Sequence, residues 1–297
     1  MLISNNKPRD HHYIPAFYLK QWAGANRKVI EYSRKHGNFL KKSVGPKATG
    51  FQTDLYAFPE LPEDMAQHIE DVFLRYADNA ASDALNKHLS GDQQWTGELR
   101  SAWSRFIVSL LLRHPDVMAE LREATMKSWE RAGPNSQRRY EATKESHFPA
   151  TFDEYIAAID PLIPVKVSMN AIIKAIDNVQ IGTQINGMFW GVVDISKGPH
   201  RFLTSDRPLQ YAFMREPRGF MSLPISPTKL FIASNNNGGV ANVRRLRPQE
   251  VARQVNIWSV ARARRFVIAD ADSQEAFIKK HIGTKMEPSP LFPSISA

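Results

Sequence analysis

Gly187-Met188-Phe189-Trp190-Gly191-Val192-Val193-Asp194-Ile195 is where the chain changes character. From about residue 64 up to it, apolar residues recur at helical spacing; from it onward they alternate, or form short β-branched and aromatic runs bounded by Gly, Pro and Asn. A chain that keeps helices and strands in separate runs belongs to the α+β class, with mostly antiparallel strands. The expected strands are 187–195, 201–204, 210–214, 220–223 and 229–233, followed by a helix over 248–264, a strand over 265–269 and a helix over 273–281.

Reading back from that point, helices are expected at 152–159 and 165–178. A mobile, basic connection over 136–150 precedes them, and Gly133-Pro134-Asn135 ends a helix that resumes at Val117. The clearest helix opens at Thr96, a good N-cap, and carries Leu99, Trp103, Phe106, Ile107 and Leu110 on one stripe. One more turn of that stripe reaches Arg113, and Pro115 then kinks or ends the helix because its ring crowds the turn of Leu111. A guanidinium on a buried face needs a carboxylate from elsewhere in the chain. Met65, Ile69, Val72, Phe73, Tyr76 and Ala80 set out an earlier helix, and Val29 to Arg34 with Phe39 to Lys42 flank His36-Gly37-Asn38 as a hairpin. The expected architecture is one compact domain over 1–283. Its helical lobe, about 64–180, packs against a β-rich lobe, about 10–58 plus 186–283, and 284–297 form a flexible tail.

Composition narrows the class. Hydrophobic residues at 42% and charged residues at 23% are those of a globular chain. The absence of cysteine excludes disulfides, thiolate catalysis and thiolate zinc sites, which leaves His and carboxylate as metal ligands. No apolar run approaches the ~18 residues that span a bilayer, and Ser4 to Arg9 offer no signal core, so a cytoplasmic protein without a membrane partner is expected. The net charge of +9 favours phosphate-rich partners, nucleic acid or nucleotide. Much of it lies in Arg244, Arg245, Arg247, Arg253, Arg262, Arg264 and Arg265, with Arg138-Arg139 apart; a merely solvated face reads the same way.

Chemistry is concentrated in two stretches: Asp10-His11-His12-Tyr13-Ile14-Pro15 with Phe17-Tyr18-Leu19, and Phe202-Leu203-Thr204-Ser205-Asp206-Arg207-Pro208. Both hold polar groups between apolar ones, at the edge of a core. Neighbouring His11 and His12 point to opposite sides of an extended chain, so one at most faces a given site. That imidazole with Asp206 and Glu70 would make a metal site, a divalent ion being one option, or an acid and base pair. The alternative is a capping or core-bonding histidine, and His114 carries the same ambiguity. Thr204-Ser205-Asp206 reads either as a site at a strand end or as a turn into Pro208. Ala252, Asn256, Ser259 and Ala263 share one helix side, where the Asn256 amide brackets a loop or touches a ligand. Val192 to Lys197 loosely matches the acidic strand plus lysine of some nucleases, whereas phosphate-loop, dinucleotide, nucleophile-elbow and zinc-protease motifs are missing.

In order, His11-His12-Tyr13-Ile14-Pro15 with Tyr18-Leu19, Ile69-Glu70, Arg113-His114-Pro115, Phe202 to Pro208, Leu223-Pro224-Ile225-Ser226-Pro227 and Asn256 resemble a bacterial family of unassigned activity, the domain of unknown function numbered 4238. The resemblance extends to about residue 270 and implies that these polar residues converge. It gives no role to His114 or Arg207, where family members often carry other residues, and it supplies no reaction.

Three functional expectations follow. The first is an enzyme or toxin-like effector that hydrolyses phosphodiesters of nucleic acid or a nucleotide with a metal. There His11 or His12 and Asp206 handle protons or metal, Arg113 steadies negative charge, Ser205 and Asn256 hold loops, and Glu70 and Thr204 assist binding. The second is a non-catalytic module that binds nucleic acid or an acidic protein through Arg244, Arg245 and Arg247. The third makes the same polar residues a structural network.

Overall fold

The computed structural model describes residues 9–62, 65, 69, 74–92 and 94–284. Glu70, Val72, Phe73 and the segment after Thr284, which carry expectations above, lie outside the described residues.

The protein is an α+β fold with two four-stranded antiparallel sheets. Among the described residues, strand β1 (Asp10–His12) pairs only with β4 (Phe51–Thr53). Strands β2 (Val29–Lys35) and β3 (Asn38–Val44) form the expected hairpin, joined by His36 and Gly37 at φ 48° and 81°. Positive φ at both positions matches the twist of the flanking strands, and Gly37 adopts it without a Cβ penalty. The hairpin continues through β10 (Val267–Ala269) to β6 (Thr204–Ser205), in the order β3-β2-β10-β6. The other sheet runs β5 (Phe189–Asp194), β9 (Lys229–Ser234), β8 (Phe220–Pro224), β7 (Gln210–Ala212).

Helices α1 (Ala16–Leu19), α2 (Arg75–Ser90), α3 (Gly97–Leu112), α4 (Pro115–Thr143), α5 (Phe152–Ile159), α6 (Ile163–Ile176) and α7 (Val179–Gly187) precede that sheet. Helices α8 (Gly239–Arg244), α9 (Pro248–Ala261) and α10 (Glu275–His281) follow it. Thr96 caps α3 by accepting the Leu99 N–H at 3.2 Å. Pro115 occupies the first position of α4, where a missing N–H is harmless, so the break expected there falls at Arg113 and His114.

Three expectations are corrected. The helix does not end at Gly133-Pro134-Asn135: α4 runs through Pro134 to Thr143, absorbing part of the supposed 136–150 connection. Pro134 is exposed, so water can take up the freed carbonyl, and the last turns are held by packing. Tyr140 meets Phe152 and Tyr155 at 6.0 and 5.1 Å, and its hydroxyl donates to the Pro149 carbonyl at 2.8 Å. Next, Tyr76 is 69% exposed, and α2 instead buries Ala77, Ala81, Ala84, Leu85 and His88. Finally, α7 and its C-cap Met188 take the first two residues of the expected strand, which starts at Phe189.

Period-two alternation gives the second sheet two buried faces. Met221, Leu223, Phe231 and Ala233 join Trp103, Phe106, Ile107 and Ile172 in a core shared with the helical lobe. Leu230 and Ile232 turn the other way, onto Val240, Val251, Ala252 and Val255 of α8 and α9.

Candidate functional site

Asp206 follows β6 and is 1% exposed. Ser205 Oγ accepts the Arg207 N–H at 3.2 Å, a local turn that aims the next carboxylate inward. That carboxylate accepts the backbone N–H groups of Arg264, Arg265 and Phe266 at 3.1, 3.1 and 3.4 Å, so it plugs the turn between α9 and β10. Its remaining partner is His114 Nε2 at 3.0 Å. His114 is also the N-cap of α4: its Nδ1 accepts the Asp116 N–H at 3.3 Å, so Nε2 carries the proton given to Asp206. Both ring nitrogens are therefore committed.

The imidazole beside Asp206 is thus His114, not His11 or His12. The reason is the pairing of β1 with β4, which fixes both side chains elsewhere. His11 is buried and stacked on Tyr56 at 5.4 Å, with Nδ1 accepting the Tyr56 N–H at 3.0 Å. His12 points to the opposite side, as extended geometry requires, and donates from Nε2 to the Lys47 carbonyl at 3.2 Å. Burial holds the His12 pKa below its ordinary value, against the opposing pull of that carbonyl.

Arg113 is fully buried and finds its carboxylate on α2, Nη1 and Nη2 meeting Asp78 at 3.1 and 2.6 Å. This bidentate pair ties α3 to α2 and leaves Arg113 engaged away from Asp206. Tyr56 Oη lies 3.3 Å from the carbonyls of both His12 and Arg113, which links the first motif to the middle one. Thr204 Oγ1 sits 2.8 Å from Tyr18 Oη, whose proton goes to the Pro224 carbonyl at 2.7 Å. Asn256 accepts the Leu203 N–H at 2.9 Å and donates to the Arg201 carbonyl and Gln274 Oε1 at 2.8 and 3.1 Å, a bracket around 201–203. The three motifs do converge, as segments, and their polar side chains bond protein groups.

The chain belongs to the DUF4238 family. That family, described as a protein of unknown function, has a profile matching residues 10–273, from β1 to just before α10. No curated protein and no solved structure matches the chain.

In this DUF4238 chain the described residues contain no group of three or more His, Asp or Glu placed to hold a metal ion, so the expected divalent ion finds no ligand set among them. Nor, among them, is any single helix long and apolar enough to cross a membrane. Asp194 accepts the Ser196 N–H at 2.7 Å and merely turns the chain out of β5. The basic set Arg244, Arg245 and Arg247 is not one free patch. All three side chains are exposed, but Arg244 donates to the Val192 carbonyl at 3.0 Å and Arg247 to Glu250 at 2.9 Å.

A different cationic cluster forms at the mouth of the Asp206 turn. Arg264, Arg265 and Arg207 reach one carboxylate, Asp116, at 2.5, 3.5 and 3.7 Å. Burial disfavours ionised Asp116, but the Arg264 hydrogen bond and the surrounding cations hold its pKa below the ordinary carboxylate value. Arg207, Arg262, His114 and Asp206 line a cavity of about 40 Å³. Arg207 Nε is buried there with no hydrogen-bond partner among the described residues, and burial lowers the guanidinium pKa. Sequence reading counted these late arginines but missed their gathering point. The available signal was the spacing Arg262, Arg264, Arg265 directly ahead of a strand; nothing in the sequence marked Asp116.

Proposed function

We propose that this protein binds phosphate-rich ligands, nucleic acid above all, through the guanidinium face of Arg207, Arg262, Arg264 and Arg265. Its buried His, Arg and Asp motifs build that face and perform no chemistry. The observation that carries this reading is the sharing of Asp116 by three arginines, an arrangement with surplus positive charge at a fixed place. Asp206 supports it by pinning the amides of residues 264–266, so that Arg264 and Arg265 project outward at 36% and 41% side-chain exposure. Phosphate contacts from Arg side chains are the dominant, sequence-independent part of nucleic-acid affinity. An aromatic neighbour suits unpaired bases: Arg262 lies 5.2 Å from the half-buried Trp258 ring.

Hydrolysis is the second reading, favoured by an imidazole, a carboxylate and Arg207 in one small pocket. It is weakened by the commitment of both His114 nitrogens.

The test is a salt series of fluorescence anisotropy with labelled single-stranded RNA and duplex DNA. Binding should weaken steeply with salt, and Arg264→Ala with Arg265→Ala should lower the slope of log K against log salt by about 2. Absence of binding at low salt, or an unchanged slope in that variant, overturns the proposal. Cleavage of either nucleic acid with Mg²⁺ or Mn²⁺, abolished in a folded His114→Ala variant, would establish the second reading instead.

A further inference from the structure

A cleft of about 660 Å³ lies on the other side of the second sheet, between its outer face and helices α8 and α9. It exists because α8 is drawn tightly onto β5 while the neighbouring sheet surface carries small side chains. A Cβ at Gly191 would sit 2.5 Å from Val240 Cγ1, so only glycine permits that approach, and Gly239 packs as closely on Ser234. Beside this clamp, Ser222 and Ser234 occupy outward positions of β8 and β9. Larger apolar residues there would have filled the space.

The chemistry of the lining selects its occupant. Leu230 and Ile232 make an apolar floor, and the aromatic rings of Phe220 and Trp258 form part of the walls. Across the floor runs a polar pair in register, Gln210 opposite Ser222. Ser222 donates to Gln210 Oε1 at 3.1 Å and Gln210 donates to the Val255 carbonyl at 2.8 Å, so the pair is fixed by the protein while the serine oxygen keeps acceptor capacity. Asn242 and Gln254 add amides. Among the described residues of the lining the one charged side chain is Arg218, held over the Phe213 ring at 3.8 Å and paired through Nε with Glu216, outside the lining, at 2.7 Å; no acidic side chain lines the cleft itself. An acyl chain would leave the amides and hydroxyls unmatched, and a bare sugar, which could stack on the aromatic walls, would leave the charge of Arg218 unmatched. A flat heterocycle has a π face for the walls and edge donors and acceptors for the amides, and an anionic substituent suits Arg218.

We infer that this cleft is a binding site for a mononucleotide-like ligand, its ring among Trp258, Phe220 and the Gln210–Ser222 pair and its anionic group at Arg218. The volume falls within the roughly 300–1,000 Å³ of ordinary small-molecule sites. The cleft meets the arginine face at Trp258, whose ring lies under Arg262, but Arg207, Arg264 and Arg265 do not line it.

The experiment is isothermal titration of the full chain with AMP, GMP, CMP and UMP, and with the corresponding nucleosides. At least one nucleotide should bind saturably below millimolar concentration. Exposed Asn242→Trp, which fills the cleft from α8, should abolish binding, as should Gln254→Trp from α9. Arg218→Gln should weaken the nucleotide about tenfold and leave the nucleoside unchanged, the loss of one charge-assisted contact. Arg264→Ala with Arg265→Ala should keep full nucleotide affinity, which separates this site from the nucleic-acid face. Silence from all four nucleotides, retention of binding in a folded Asn242→Trp or Gln254→Trp protein, or equal loss of nucleotide and nucleoside in Arg218→Gln each overturns the inference.

Discussion

Asp206 and Gln210 are four residues apart in the chain, and their surroundings obey opposite rules. Asp206 spends its carboxylate on three backbone amides and one imidazole, all from the protein. Gln210 is also buried and bonded to the protein, yet it lines an open cleft whose rim carries the exposed amides Asn242 and Gln254. The side chains most suggestive of catalysis, His11, Arg113, His114, Asp206 and Asn256, turn out to be joints between segments far apart in sequence. The less conspicuous Asn242 and Gln254, and Arg264 and Arg265 after α9, are the ones presented outward. Chemical versatility of a residue type is therefore a poor guide to function in this protein until its hydrogen bonds have been counted.

The comparison breaks most directly at Asp206. Asp206→Ala strands three amides and the His114 N–H, and should cost about 3–5 kcal/mol in urea unfolding. A variant of native stability would mean that the joint is not structural. Acidification probes a second enclosed group. His88 lies within 4.3–5.9 Å of Trp95, Trp103, Trp190 and Phe231, and burial, with help from Arg100, pushes its pKa down to about 3. Below pH 6.5 the unfolded chain takes up a proton that the folded chain refuses. Stability should then fall by about 1.4 kcal/mol per pH unit as pH drops toward 3, and His88→Phe should flatten that part of the profile. An identical profile for the two proteins would remove His88 as the cause.

Smaller effects sharpen the contrast. Asn256→Ala removes the bracket on 201–203 and should lower stability by about 2 kcal/mol, read from the denaturation midpoint at unchanged m-value. Arg264→Ala with Arg265→Ala, on the outward side, should change stability by less than about 1 kcal/mol while it diminishes nucleic-acid binding. A large stability loss there would place these arginines with the joints.

Where local rules acted alone, the sequence was readable. Alternation from Phe189 to Ser234, the Thr96 cap, the His36-Gly37 reversal and the break at Pro115 all follow from neighbours within a few residues. The need for a carboxylate at Arg113 was also readable, but its identity was not, because Asp78 meets it only when α2 docks on α3. Pro134 misled for a related reason: the energy that carries α4 past it comes from Tyr140 packing on α5, outside any local window. The pairing of His114 with Asp206 spans 92 residues and depends on the start of α4 meeting the turn after α9, so no spacing announces it.

The geometry of that turn has a consequence for synthesis. Asp116 and His114 emerge from the ribosome long before the amides of Arg264, Arg265 and Phe266 that Asp206 gathers beside them. A nascent chain halted short of Phe266 holds most of the helical lobe yet lacks the last of these amides, so the joint that fixes the directions of Arg264 and Arg265 closes only as synthesis reaches β10.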